Sequence, residues 1–166
     1  ALQKELLGAR GVRIRALVKE NATLIKTLPK NIAADVTAYV ARETMKGRRA
    51  SDIADEIRMM FPKDTKARAQ LIARTQVSMT QTNLVRARAE DLGLDWYVWR
   101  ACGGNNGDGR TRKSHKHMSD VLVRWSDPPA PEDLFPLRHV DGTPYKNTLG
   151  HYHAGCCPNC RCYPEP

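Results

Sequence analysis

The chain has 166 residues, with 27 Lys+Arg against 18 Asp+Glu, five His and five Cys. That length suits one compact domain, or a small domain with a helical extension, and excludes two large ones. The hydrophobic share of 41% and charged share of 27% exclude wholesale disorder, and no apolar run approaches the roughly 18–20 residues that span a bilayer.

The charge is uneven. Residues 1–92 hold 18 Lys/Arg and 10 Asp/Glu, a net of +8, whereas the remainder holds 9 and 8, a net of +1. All five Cys, all five His and all three Trp fall in that remainder. The first part therefore reads as basic helices and the second as a loop-rich module that keeps the reactive side chains. The first fifteen residues scatter charge and have no apolar stretch, so they do not read as a secretory signal. An odd cysteine count without such a signal favours thiols or a metal over a disulfide framework.

Leu2, Leu6, Ile14, Leu17, Leu24 and Leu28 recur at helical steps, interrupted by Gly8 and Gly11 and stopped near Pro29. Ile32, Val36, Tyr39 and Val40 predict a second helix ending near Gly47. Ser51 is a suitable N-cap for a short helix carrying Ile53, Ile57 and Met60, closed by Pro62. Asp64 then caps the longest candidate, Thr65 to Leu92, with Leu71, Ile72, Met79, Leu84 and Val85 as its apolar stripe and Gly93 as a left-handed terminator. Beyond Gly93 the pattern changes. Trp96 to Trp99 and Val121 to Trp125 are strands by composition, with Trp96, Trp99, Val121, Val123 and Trp125 as the expected core. The fold class is α+β: N-terminal helices and one long helix lead into a small antiparallel sheet with long loops and a Cys-rich C-terminal segment. Residues 1–64 form a basic helical docking region in this reading, and residues 65–166 the motif-bearing domain.

Two segments carry candidate chemistry: Asp108 to His117, and Cys156 to Cys162 preceded by His151 and His153. Cys157 and Cys160 have the two-residue gap that lets both thiolates turn onto one tetrahedral ion, and Cys162 adds a third sulfur. The fourth ligand must then be a histidine. His115 is the most economical donor if the segments pack together, with His151 and His153 as alternatives. A zinc ion on His115, Cys157, Cys160 and Cys162 stands beside two other readings, a disulfide within the cluster and buried free thiols. His117, His139 and Cys102 read as surface or packing residues.

The order Ile72-Ala73-Arg74-Thr75-Gln76 on a long helix, an apolar strand with Trp99, Asp108-Gly109-Arg110-Thr111-Arg112, then His115, resembles the phage head morphogenesis domain. This is the minor head protein family typified by the F protein of phage Mu and its counterpart in phage SPP1. Val123-Arg124-Trp125 with Asp127-Pro128-Pro129, and the terminal Asn159-Cys160-Arg161-Cys162, follow in the expected order, so the resemblance covers Thr65 to Tyr163. Many members carry C-x-x-C after the Asp-Arg-Thr element and His-Pro-Asn-Cys-Arg-Cys at the end; here Arg112 and His115 replace the first pair and Cys157 the final His. Gln76 stands where the family has a glutamate, which weakens a catalytic role there.

The resemblance implies virion assembly: association with the portal protein, possible contact with scaffolding or other head proteins, and help in DNA exit, with the protein in the virion and, during assembly, in the host cytoplasm. The +8 part suits an acidic portal surface or double-stranded DNA, or is simply the solvated face of amphipathic helices. Two other classes stay open. One is a metal-dependent nuclease or toxin-type effector delivered with the virion and using Arg110, Arg112 and His115, although only Asp108 and Asp120 lie nearby to hold Mg²⁺ and a toxin domain would be expected beyond Pro166. The other is a zinc-knuckle DNA-binding module, which lacks paired finger spacing.

Overall fold

The computed structural model describes residues 8, 11–16, 30–61, 66–104, 108–147 and 149–166. The chain divides into two compact units, Ala1–Arg88 and Ala89–Pro166.

In the first unit a helical stretch over 11–16 follows Gly8, and Ile14 is fully buried with Ala41 and Ala87. The expected positions Leu2, Leu6, Leu17, Leu24 and Leu28 lie outside the described residues. Helix α1 is Lys30–Met45 and α2 is Ala50–Met60. Val36 and Val40 of α1 meet Ile53 and Ile57 of α2, and Ala69, Ile72 and Ala73 of α3, Lys66–Asp91, complete the cluster. Asp64 and Pro62 fall outside the described residues. Arg49 rather than Ser51 occupies the N-cap of α2 and makes no side-chain cap bond. The first helical bonds already run from Asp52 and Ile53 to the Arg49 carbonyl, which draws Ser51 into the helix.

The inner face of α3 is less apolar than its sequence suggests. Leu71 is exposed, and the buried set includes Gln76, Thr80, Thr82 and Asn83 beside Ile72, Met79 and Ala87. Thr80 is satisfied by donating to the Gln76 carbonyl at 2.8 Å, the i−4 back-bond available to a helical threonine. The C-terminus is as expected. Gly93 has φ +73°, its N–H bonds Glu90 and the Leu94 N–H bonds Ala89, the paired bonds of a Schellman stop.

Where α1 ends, buried Glu43 is ringed by cations: Lys46 Nζ at 2.8 Å, Arg48 at 3.2 Å and Arg42 at 3.3 Å. Arg48 also reaches Glu56 of α2 at 2.6 Å, so one guanidinium ties two helices. The bond from Lys46 leads the causes that hold the Glu43 carboxyl down at about 2. A depressed carboxylate stabilises the folded state above its unfolded value and loses that contribution as pH falls toward its folded value. The first unit should therefore weaken between about pH 4.5 and 2, and Glu43→Gln should remove that part of the acid response. Helical circular dichroism melts across this window test the point; superimposable acid profiles for the two proteins would refute it.

The second unit holds a three-stranded antiparallel sheet in the order β2-β1-β3. Strand β1 is Trp96–Arg100, β2 is Leu122–Arg124 and β3 is Tyr163–Glu165. Tyr97 pairs with Val123 and Trp99 with Pro164, and these four form the buried face. Trp96 and Val121, expected in the core, are exposed at 45% and 38%. The pleat explains Trp96: side chains alternate faces, so residues 96 and 99 cannot share one. Tyr97 takes its place, 1% exposed and 4.2 Å from the Trp125 ring. Val121 lies in the turn before β2, where its carbonyl accepts from the Trp99 N–H. Helices α4, Lys113–His117, and α5, Pro131–Leu134, are short and packed together.

Candidate functional site around His115

The turn beginning at Asp108 is built by its own side chain. Asp108 Oδ1 accepts from the Arg110 N–H at 3.2 Å, while Gly109 takes the φ of +76° that the turn needs. Thr111 Oγ1 lies 3.0 Å from Asp108 Oδ1 and 2.9 Å from the Cys102 carbonyl, so its one proton is shared between them. Arg161 of the Cys-Arg-Cys tail pairs with the other oxygen of Asp108. That guanidinium is the main reason the Asp108 carboxyl sits down at about 2. The two candidate segments are thus clasped through the polar members of their motifs.

The thiol segment is shaped by Pro158 and by Asn159, which has φ +56°. The Cys160 N–H bonds the Cys157 carbonyl across this turn at 3.1 Å, and Pro followed by a left-handed Asn is the residue order of a type II turn. None of the five cysteines is in a disulfide, and Cys157, Cys160 and Cys162 are buried.

Helix α4 presents His115, 2% exposed, between the thiols and the aromatic core. Its ring lies edge-on to Trp99 at 5.5 Å between centroids. On one edge, Nδ1 lies 3.5 Å from Cys160 Sγ and 3.4 Å from Cys162 Sγ. On the other, Nε2 lies 2.9 Å from Tyr152 Oη, and Tyr152 lies 2.8 and 2.6 Å from the two Glu132 oxygens. Ser114 also donates to Glu132 at 3.1 Å. An ionised carboxylate only accepts, so the Tyr152 hydroxyl donates to Glu132 and His115 Nε2–H donates to Tyr152. In the neutral ring this leaves the lone pair on Nδ1, facing the two sulfurs.

The electrostatics follow. Burial lowers the basicity of His115, but Cys160, Cys162 and Glu132 outweigh it and raise its pKa to about 11. Burial raises Glu132, and its bonds from His115, Tyr152 and Ser114 overcome this to hold it at about 2. Cys162 is pushed up, first by the Cys160 sulfur and then by burial, and burial followed by Glu132 pushes Tyr152 up. The field at Nδ1 favours positive charge, and His115, Cys160 and Cys162 form a buried group able to hold a metal ion, with ligand atoms within 4.8 Å of one another.

Cys157 stands apart from those three. Its sulfur lies 3.8 Å from Nε2, on the Tyr152 edge of the ring, and accepts from Arg112 at 3.0 Å, while the same guanidinium donates to the Pro158 carbonyl at 2.9 Å. Arg112 and Cys157, two of the positions that depart from the resembled pattern, therefore touch each other. His151 Nδ1 lies 2.8 Å from the Pro128 carbonyl and His153 Nδ1 lies 3.2 Å from Tyr97 Oη, and neither belongs to the group formed by His115, Cys160 and Cys162. Arg110 is exposed in the same loop. Arg74 and Thr75 lie on α3 in the first unit, exposed and half-buried, and Gln76 beside them is buried with Nε2 3.8 Å from Met79 Sδ. Tyr152 and Glu132 escape sequence reasoning; Tyr152 lies between two flagged histidines, but Glu132, in a proline-rich stretch of the sequence, gives no local signal.

Residues 34–164 match the family described as Phage Mu protein F like protein. That match begins well upstream of Thr65, within α1. An uncharacterized protein of Haemophilus influenzae is 29% identical over 154 residues, covering 93% of this chain. The chain spans 29% of that relative's length. No solved structure matches. With both the long helix and the whole clasp of Asp108, His115 and the Cys-Arg-Cys tail inside the matched span, the chain belongs to the phage Mu protein F like family.

Proposed function

We propose that the chain acts in phage head morphogenesis as a minor head protein, docked at the portal through its basic first unit. The observation that carries this is the family match over residues 34–164. The charge asymmetry supports the docking surface, although Arg42, Lys46 and Arg48 are engaged by Glu43 and so contribute less to an external field. An acidic portal surface is the favoured partner, with other head proteins and packaged double-stranded DNA as further contacts, and the virion as the location. Among the described residues no helix is long and apolar enough to cross a membrane.

A nuclease reading is less well supported by the same geometry. Asp108 is paired with Arg161 and Asp120 with Arg100, so neither carboxylate is left as an open Mg²⁺ ligand.

The decisive experiment is an amber mutation in the gene within its phage genome. Lysates should contain defective heads by electron microscopy and low titre, restored in a suppressor host, and the protein should be detected in purified wild-type particles. Normal heads and titre, with no protein in purified particles, would overturn the reading. Portal docking should also weaken as salt rises from about 50 to 200 mM, because charge-driven association is screened over that range.

A further inference from the structure

The tetrahedral geometry of zinc gives a ruler for the His115 cluster. With Zn–N about 2.0 Å and Zn–S about 2.3 Å, the N···S edge of a tetrahedral site is about 3.5 Å. The two Nδ1···Sγ separations, 3.5 Å to Cys160 and 3.4 Å to Cys162, are that edge. The other ring nitrogen is held by Tyr152 backed by Glu132, the outer-shell arrangement that orients a ligating imidazole. The Cys162 N–H donates to Cys160 Sγ at 3.4 Å.

Three ligands leave a fourth corner. Cys157 does not face it, since its sulfur lies beside Nε2 under Arg112. A cavity of about 20 Å³, room for a single ion or water, is lined by His115, Cys160, Cys162 and Cys102, with arginines, Thr111 and Asn159 completing the wall. Arginine is always protonated and cannot ligate. Asp108 adjoins Cys102, its Oδ2 4.0 Å from the Cys102 sulfur, but is engaged by Arg161, Thr111 and the Arg110 N–H. Cys102 is thus the remaining wall residue with a soft donor atom; its carbonyl is pinned by Thr111, and its sulfur, turned toward Asp108 and outside the three-residue ligand group, reaches the fourth corner by rotation of its side chain.

We propose that the chain holds one zinc ion on His115 Nδ1, Cys160, Cys162 and Cys102, with Cys157 outside the coordination sphere. Binding releases the three thiol protons and the Nδ1 proton of the His115 imidazolium to solvent, leaving a Zn²⁺-trithiolate of net charge −1, a charge that Arg110, Arg112 and Arg161 in the cavity wall offset. The site would join the end of β1, helix α4 and the C-terminal tail, three segments distant in sequence.

The test is cobalt substitution in the full chain, read by the tetrahedral visible bands and the sulfur-to-cobalt charge-transfer band. The wild type should take up one cobalt and show intensity for three thiolates. Cys102→Ser should lose about a third of that charge-transfer intensity, one sulfur of three, and Cys157→Ser should keep it all. The reverse pattern, or no tetrahedral spectrum from the wild type, overturns the proposal. If Cys102→Ser fails to fold, X-ray absorption of zinc-loaded Cys157→Ser decides: three sulfurs and one nitrogen support the assignment, and two sulfurs refute it.

Discussion

Trp99→Ala is expected to destabilise the second unit by about 3–5 kcal/mol, the cost of emptying a large aromatic site in a core. Trp99 is fully buried on the central strand, with His115 and Tyr152 rings 5.5 and 6.2 Å away, so collapse around the void would disturb the thiol cluster as well. Such a loss is most or all of a small unit's stability. All three tryptophans lie in residues 89–166. Fluorescence therefore reports this unit, and Trp96 and Trp125 remain as probes in the variant. Urea unfolding followed by fluorescence checks the expectation, and a change under about 1 kcal/mol would contradict it.

The second large effect is expected at His115. His115→Ala removes a buried ring that touches Trp99 and Tyr152 and meets three sulfurs. It also leaves Tyr152 Oη without its imidazole partner. A cost of about 3–5 kcal/mol is expected by comparison with other buried ring deletions. Tyr152→Phe keeps the ring and removes only the hydroxyl between Nε2 and Glu132, so about 1–3 kcal/mol is expected for the polar groups it strands. The same fluorescence-detected unfolding ranks the two. Equal losses would show that the hydroxyl relay, rather than the packed ring, dominates.

Local chemistry made much of the fold legible. The end of the long helix could be read from Gly93 because a left-handed stop depends on one residue's freedom, and Val36, Val40, Ile53 and Ile57 declared their helical faces by spacing. The misreadings have physical sources. Trp96 was placed by hydrophobicity where pleat parity decides, and the third strand was missed because Tyr163-Pro164-Glu165 is a poor strand sequence that only an edge position tolerates. The inner face of α3 mixes Gln76, Thr80 and Asn83 with small apolar residues, a pattern that hydrophobic periodicity does not detect. At the site, the motifs flagged His115, Cys160 and Cys162, but spacing cannot say which ring edge a sulfur meets. That is fixed by Tyr152 and Glu132, brought in from 37 and 17 residues away in the chain.

Pro164 has a consequence beyond its own strand. It lies in an outer strand of three residues, and the opposite outer strand, β2, is also three residues long and turns back at once through the Arg124–Asp127 bridge. A proline offers no N–H to an incoming backbone, and so short a border leaves little to template against. The sheet is closed to growth by strand addition. Where many copies of other proteins crowd together, this chain is protected from edge-to-edge polymerisation and left to associate through side-chain surfaces, whose shape and charge can select a partner.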